Sequence, residues 1–312
     1  MILTSKKEKI LFYSFPVILF CLIPFFLITG PFLSDLAVSL ISLLYLTYCF
    51  KKKSFSYFKN KYFFFFIFFW SYLLLNSLFN NFNLDSLKIS FFYFRYAVFV
   101  IAIVFLLNVD DKFVKYFFYC ILVCFVALIL DGFFQYFTGE NILGWKKSNR
   151  TSSFFGDELI LGSYLSRLWP LFFGLSILVF RQKKIVFFPL ILVFIFSEAL
   201  IFLSGDRAPF FYINLSAIFV ILFSKDLVKL RLITLLSSIL IIIIISFINP
   251  TAKERVFDRT IKDMNLTNDN SKDQETTYIF SKAHNEIYIS AYKMFLNNKL
   301  LGVGVKNFRN IC

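Results

Sequence analysis

Nine apolar stretches alternate with short polar gaps over the first 248 positions of the chain. They run from Ile10 to Thr29, Pro31 to Phe50, Tyr62 to Phe79, Ile89 to Leu107, Phe117 to Phe137, Leu159 to Phe180, Ile185 to Leu203, Ala208 to Phe223 and Leu232 to Ile248. A helix needs ~20 residues to cross ~30 Å of hydrocarbon, whereas barrel strands alternate apolar and polar positions, which these runs do not. The pattern predicts an all-α polytopic membrane bundle of nine helices over residues 1–249. From Asn249 onward no span follows, and Thr251 to Ser281 is rich in Asp, Asn, Lys and Thr, so residues 250–312 read as the start of a large external loop. Inside it, Ile287, Tyr288, Ala291, Met294 and Phe295 recur at helical spacing. They predict an amphipathic helix over Ala283 to Asn297, closed by Asn298 and Gly302, which lies on the membrane surface or caps the mouth of the bundle.

Composition agrees with a lipid-solvated chain: 59% of residues are hydrophobic and forty-eight are Phe, more apolar surface than a soluble domain can hide. The charge pattern then orients it. Lys6, Lys7 and Lys9, Lys51, Lys52, Lys53, Lys59 and Lys61, Lys112 and Lys115, Arg181, Lys183 and Lys184, and Lys225, Lys229 and Arg231 all fall on one side if nine spans alternate. That side is the cytoplasm by the positive-inside rule, and the opposite short gaps hold only Lys88, Lys146, Lys147, Arg150 and Arg207. The net charge of +14 is thus largely a topology signal, with membrane lipids as its partner and no case for nucleic acid. The first apolar run is too long for a signal peptide and no small-residue cleavage site follows, so it reads as a retained helix. Cys21, Cys49, Cys120 and Cys124 lie within spans as small packers, implying neither disulfide nor zinc.

Charges at membrane depth mark function by default. Arg95, Asp131, Arg167 and Glu198 crowd toward the external half of the expected bundle, where they either pair to hold helices together or line a polar cavity. Arg207 sits at a tight break, Ser204-Gly205-Asp206-Arg207, where a guanidinium fork beside N–H groups freed at Gly205 suits a phosphate or diphosphate; an interfacial anchor is the alternative. Before the sixth span lies a second external cluster, Trp145 to Glu158, whose hydroxyls and Arg150 suit an anionic glycolipid, with Asp157 and Glu158 at the amino end of the next helix; a solvated loop is the plainer reading. Gly302-Val303-Gly304 reads as a turn, since no strand and no third glycine make it a dinucleotide fingerprint.

In four places the chain resembles the O-antigen ligase and polymerase family of membrane glycosyltransferases. These are Asp131-Gly132-Phe133-Phe134-Gln135 with Gly139, the stretch Arg150 through Gly162, Ser204-Gly205-Asp206-Arg207, and His284 through Phe308. The resemblance implies transfer of a glycan from a polyprenyl-diphosphate carrier at the periplasmic face of the bacterial inner membrane, without metal, cofactor or nucleotide sugar. The acceptor is lipid A core for a ligase or a second carrier-linked glycan for a polymerase. It implies that Arg207, with Arg150, Asp157, Glu158 and Asp206 around it, binds the carrier diphosphate and glycan, and that a base on the outer loop deprotonates the acceptor hydroxyl.

The chain departs from the family pattern where a second functional arginine usually stands. His284 is there instead, with Tyr288 in a tryptophan position, so His284 is a substitute phosphate donor or a surface residue. The family's Pro-His-Asn-like element does not occur before Cys312, so the 312 residues are expected to act as an incomplete enzyme. The rival reading is a transporter or flippase for polyisoprenoid-linked glycans, which calls for internal repeats and helices broken at mid-membrane; no repeat is evident.

Overall fold

The computed structural model describes residues 6–79, 83–110, 112–180, 187–223, 228–248, 250–265, 278 and 281–312. Among them the regular elements are helical. Helix α1 (Lys6–Lys9) continues through a π-helical turn (Ile10–Ser14) into α2 (Phe15–Thr29), followed by α3 (Pro31–Lys52), α4 (Lys61–Phe79), α5 (Leu84–Phe92), α6 (Phe94–Val109) and α7 (Lys112–Thr138). Then come α8 (Leu161–Phe180), α9 (Phe187–Leu203), α10 (Arg207–Phe223), α11 (Val228–Ile248), α12 (Pro250–Lys253), α13 (Arg259–Asp263), α14 (Lys282–Asn297) and α15 (Phe308–Ile311).

Six helical stretches among the described residues are long and apolar enough to cross a membrane: Lys7–Thr29, Pro31–Lys52, Lys61–Phe79, Leu84–Val109, Lys112–Thr138 and Leu161–Phe180. They make the chain a multi-pass membrane protein. They coincide with the first six expected spans, the fourth being jointed at Tyr93 between α5 and α6. The last three expected spans differ. Helices α9 and α10 have 17 residues each, about 26 Å of rise and so at the short limit for a span. Helix α11 is joined to the next helical segment at a bend of 111° between Arg231–Phe247 and Thr251–Asp263. Arg181, Lys183, Lys184 and Lys225, which entered the charge count, lie outside the described residues, as does the polar stretch 266–277.

Packing divides the chain into two compact units rather than at residue 249: Met1–Ile23, Gly30–Phe113 and Ile279–Cys312 form one, Pro24–Thr29 and Val114–Tyr278 the other. In the first unit, buried Ala37 and Ser42 of α3 and Ala97 and Ala102 of α6 are small enough for the two backbones to approach, and Ile41 and Val98 are buried beside them. The Ser42 hydroxyl donates to the Arg95 carbonyl at 3.0 Å across that seam. Tyr48 and Phe105 continue it with ring centroids 4.7 Å apart. Helix α4 shows the opposite character, exposing Phe64, Phe65 and Phe68, side chains that suit lipid. The Gly302–Gly304 turn is docked on the α4–α5 junction, where the Ser86 hydroxyl donates to the Val305 carbonyl at 2.7 Å and Asn76 donates to that of Leu301.

The second unit is built around α8. Leu161, Leu165, Trp169, Phe172 and Phe173 recur at helical spacing and are fully or almost fully buried against Phe118 and Phe125 of α7 and Phe194 of α9. Trp169 stacks on Phe173 at 5.0 Å and meets Phe194 edge-on at 5.2 Å. Ring pairs of this kind add ~0.5–1.5 kcal/mol each beyond area burial. This aromatic stack holds α7, α8 and α9 side by side and thereby sets the position of the loops at their ends.

Candidate functional site

The loop between α7 and α8 is organised by two polar side chains on one face of α7, a turn apart. Asp131 accepts from the Ile142 N–H at 2.9 Å and from the Ser153 hydroxyl at 2.6 Å. Gln135 accepts from the N–H groups of Ser152 and Ser153 at 2.9 and 2.8 Å. Both side chains are fully buried, and a buried carboxylate or amide is stable only when its polar atoms are satisfied in this way. Asn141 ties the loop to itself, donating to the Ser153 carbonyl at 2.9 Å and accepting from the Trp145 N–H at 2.8 Å. Ser153 adopts φ +52°, a left-handed conformation that these bonds hold in place. The Asp131 to Gly139 segment therefore acts as the clamp for the loop that carries Arg150.

The second component is the turn from α9 to α10. Its Ser204 N–H donates to the Leu200 carbonyl at 2.9 Å and its Gly205 N–H to the Phe202 carbonyl at 3.0 Å. The expected free N–H at Gly205 is thus already taken, and the anion-binding capacity of the turn lies in its side chains. Gly205 has φ +66°, and a Cβ there would stand 3.2 Å from the Arg255 Nε and 3.7 Å from the Arg150 Cγ. Glycine is favoured by this left-handed backbone, and a side chain there would also press on Arg255. Gly162, at the start of α8, seats the turn from the other side: a Cβ on it would fall 2.3 Å from the Ser204 hydroxyl.

Arg150, Asp206 and Arg207 converge at this turn. Arg150 pairs with Asp206 at 2.7 Å, with side-chain exposures of 25% and 14%, while Arg207 pairs with Asp263 at 2.7 Å, with exposures of 41% and 37%. Burial pushes the Asp206 carboxyl above its ordinary range, opposed by Arg150 and Arg255. Burial and the neighbouring Arg150, Arg259 and Arg207 all lower Arg255, opposed by Asp206, which marks crowding of positive charge. The Nε atoms of Arg150 and Arg255 are buried and make no hydrogen bond among the described residues.

Beside the turn lies a cavity of about 370 Å³ lined by Lys147, Ser148 and Asn149 of the α7–α8 loop and by Thr251, Glu254, Arg255 and Arg259 of the segment after α11. Three cations and one carboxylate face it, and the two arginines paired at its side add no compensating negative charge. Planar guanidinium forks with spare donors, carried by the helical segment after α11 and by the α7–α8 loop, suit a multiply charged oxyanion such as a phosphate or diphosphate. The 250–263 segment supplies this face because it is amphipathic: Ala252 and Val256 are buried, Phe257 packs on Phe210 at 5.7 Å, and Thr251, Arg255 and Arg259 fall on another side at four-residue spacing.

The other expected residues lie elsewhere. Asp157 and Glu158 are exposed and lie just before α8, whose first turn holds no acidic residue. Arg95 binds Asp35 of α3 and the Ser39 hydroxyl at 3.3 Å, a tie between α3 and α6. Arg167 is exposed on the surface of α8. Glu198 is buried and pairs with Arg231, itself fully buried and 4.4 Å above the Trp169 ring. Arg231 is therefore withdrawn from the row of topology-setting surface cations into the interior, because a long guanidinium stem can reach from the start of α11 to a buried carboxylate. His284 belongs to the first unit, where its ring lies 2.7 Å from the hydroxyl of Ser281, the N-cap of α14, and stacks obliquely near Tyr288.

Arg255, Arg259 and Asp263 are the site residues that sequence reading missed. The signal was present: Thr251, Arg255 and Arg259 repeat every four residues, with Ala252 and Val256 repeating beside them. The polar composition masked it. What fold and site together define is an all-helical multi-pass membrane protein with an arginine-rich cavity at one end of a helix bundle. No family profile matches the chain, and no curated protein or solved structure is significantly similar to it.

Proposed function

We propose that the chain is a membrane glycosyltransferase of cell-surface polysaccharide synthesis, of O-antigen ligase or polymerase type, whose arginine cavity binds the diphosphate of a polyprenyl-linked glycan. The observation that carries this reading is the meeting of Arg150 and the Ser204–Arg207 turn, two of the segments behind the family resemblance, in one ion pair beside a cationic cavity. In this reading α9, α10 and α11 complete a nine-span bundle with its amino terminus in the cytoplasm, and the cavity faces the periplasm. The acceptor oxygen bonds to the anomeric carbon as the bond from that carbon to the carrier phosphate oxygen breaks. The acceptor proton passes to a base, and the diphosphate leaves with added negative charge. Arg150, Arg207, Arg255 and Arg259 supply fixed positive charge where that negative charge grows.

Titration of the chain in lipid nanodiscs with undecaprenyl diphosphate and with inorganic pyrophosphate tests the site. Both are expected to bind, to compete, and to weaken in Arg207→Lys, which keeps the charge but loses the fork. Unchanged pyrophosphate affinity and normal glycan transfer in Arg207→Ala would remove the cavity from the mechanism. Orientation has its own test: in intact cells a membrane-impermeant thiol reagent should label Ser148→Cys and spare Ser54→Cys.

A further inference from the structure

Helix α14 has a long apolar surface, outside the candidate membrane spans, that the candidate site does not use. Ser281 caps it, accepting from the His284 N–H at 3.3 Å, and none of its residues is buried. Lys282, Glu286, Ser290, Lys293 and Asn297 form a single polar stripe at helical spacing. Opposite lie Ile287, Tyr288, Ala291, Met294 and Phe295, with Ile287 at 49% and Phe295 at 53% exposure. An apolar arc this wide in water is unfavourable, so something covers it.

The position of its carboxy-terminal end tells what. The chain leaving α14 is bonded to the α4–α5 junction, through the Asn76 amide to the Leu301 carbonyl and the Ser86 hydroxyl to the Val305 carbonyl at 2.7 Å. Asn307 is buried there as well. That junction is the end of one candidate membrane span, Lys61–Phe79, and the start of the next, Leu84–Val109. One end of α14 is therefore anchored where the hydrocarbon of the bilayer stops, and the closest large apolar phase is the lipid itself. Tyr288 and Tyr292, each with an apolar ring and a polar tip, suit that boundary, and Lys282 and Lys293 on the polar stripe suit anionic headgroups.

We propose that α14 is an interfacial helix that lies in the membrane surface beside the α4–α5 junction, with Ile287, Ala291 and Phe295 facing the acyl boundary and Glu286, Lys293 and Asn297 facing water. The bilayer is its partner, and a protein seated on the apolar arc is the competing outcome. Single cysteines at these six positions, in the full chain with its five native cysteines replaced by serine, would carry an environment-sensitive dye. The chain is reconstituted in vesicles of phosphatidylethanolamine and phosphatidylglycerol, with and without doxyl-labelled lipid. Quenching by the labelled lipid should be severalfold stronger at Ile287, Ala291 and Phe295 than at the other three positions. Equal quenching at all six positions, or none at any, overturns the proposal; an unquenched but blue-shifted dye at Phe295 would show that protein covers the arc instead. If the cysteine-free chain does not fold, Phe295→Trp and Lys293→Trp in brominated lipid make the same comparison on the native background. The dye pattern is independent of glycan or diphosphate binding, so it stands or falls separately from the function proposed above.

Discussion

Two arginine–carboxylate sites in the second unit use the same chemistry to opposite ends. Arg231 and Glu198 are closed: Arg231 is fully buried and covered by Trp169, one of its Nη atoms donates to Glu198 and Thr234, and the Ser238 hydroxyl donates to Glu198, while the Nε and the other Nη of Arg231 make no hydrogen bond among the described residues. Arg150 and Asp206 are open, beside a cavity that three further cations and one carboxylate line. In the interior the charges balance one to one, so the pair serves the fold, as buried ion pairs do when each partner would be stranded alone. At the loop end positive charge exceeds negative, which is unfavourable for the protein alone and is relieved by an anion; unpaired guanidinium donors do not separate the two sites, since Arg231 has them as well. The difference separates a charge that holds helices from a charge that, in the function proposed above, is there to hold an anion.

The largest expected effect breaks the closed site. Arg231→Ala leaves Glu198 buried without its cation and should cost about 3–5 kcal/mol, read as a lowered thermal midpoint in detergent. Replacing both with leucine should restore most of that loss. A thermal midpoint unchanged in the single variant would place Glu198 in contact with water and erase the distinction. At the open site the effect moves from stability to binding. Arg255→Ala should lower pyrophosphate affinity about tenfold, roughly 1.4 kcal/mol. Breaking the half-exposed Arg207–Asp263 pair by Asp263→Asn should change stability by no more than about 1 kcal/mol. A large stability loss with unchanged affinity would make the outer cluster structural too.

Gly162→Ala probes how the open site is positioned, because the new methyl collides with the Ser204 hydroxyl at the base of the turn. A cost of about 1–3 kcal/mol is expected, with partial relief by Ser204→Ala. The smallest effect concerns pH. Burial raises Asp206, so the folded protein takes up its proton at a higher pH than the unfolded chain does. Stability from this group is fully present below the ordinary carboxylate range and is lost as pH rises through the raised value. Protonated Asp206 also releases Arg150, so pyrophosphate affinity should rise severalfold as pH falls through that window, relative to Asp206→Asn. Parallel pH profiles in the parent and Asp206→Asn would exclude this coupling.

Hydropathy and periodicity determined the membrane class, the first six spans and α14, because each is a property of one contiguous segment meeting lipid or water. Asp131, Arg150 and the Ser204–Arg207 turn were likewise legible as unusual residues in apolar surroundings. Whether such residues meet was not. Arg231 looked like one more surface cation in a basic gap, and only the packing of α8, α9 and α11 brings Trp169, Glu198 and Ser238 around it. Arg255, Arg259 and Asp263 lay in what read as a polar loop, and only the 111° bend after α11 returns them to the Arg150 and Arg207 side chains. A long guanidinium stem can serve surface, interior or ligand from the same position in the chain. The choice among them is made by contacts between distant segments, which no local pattern encodes.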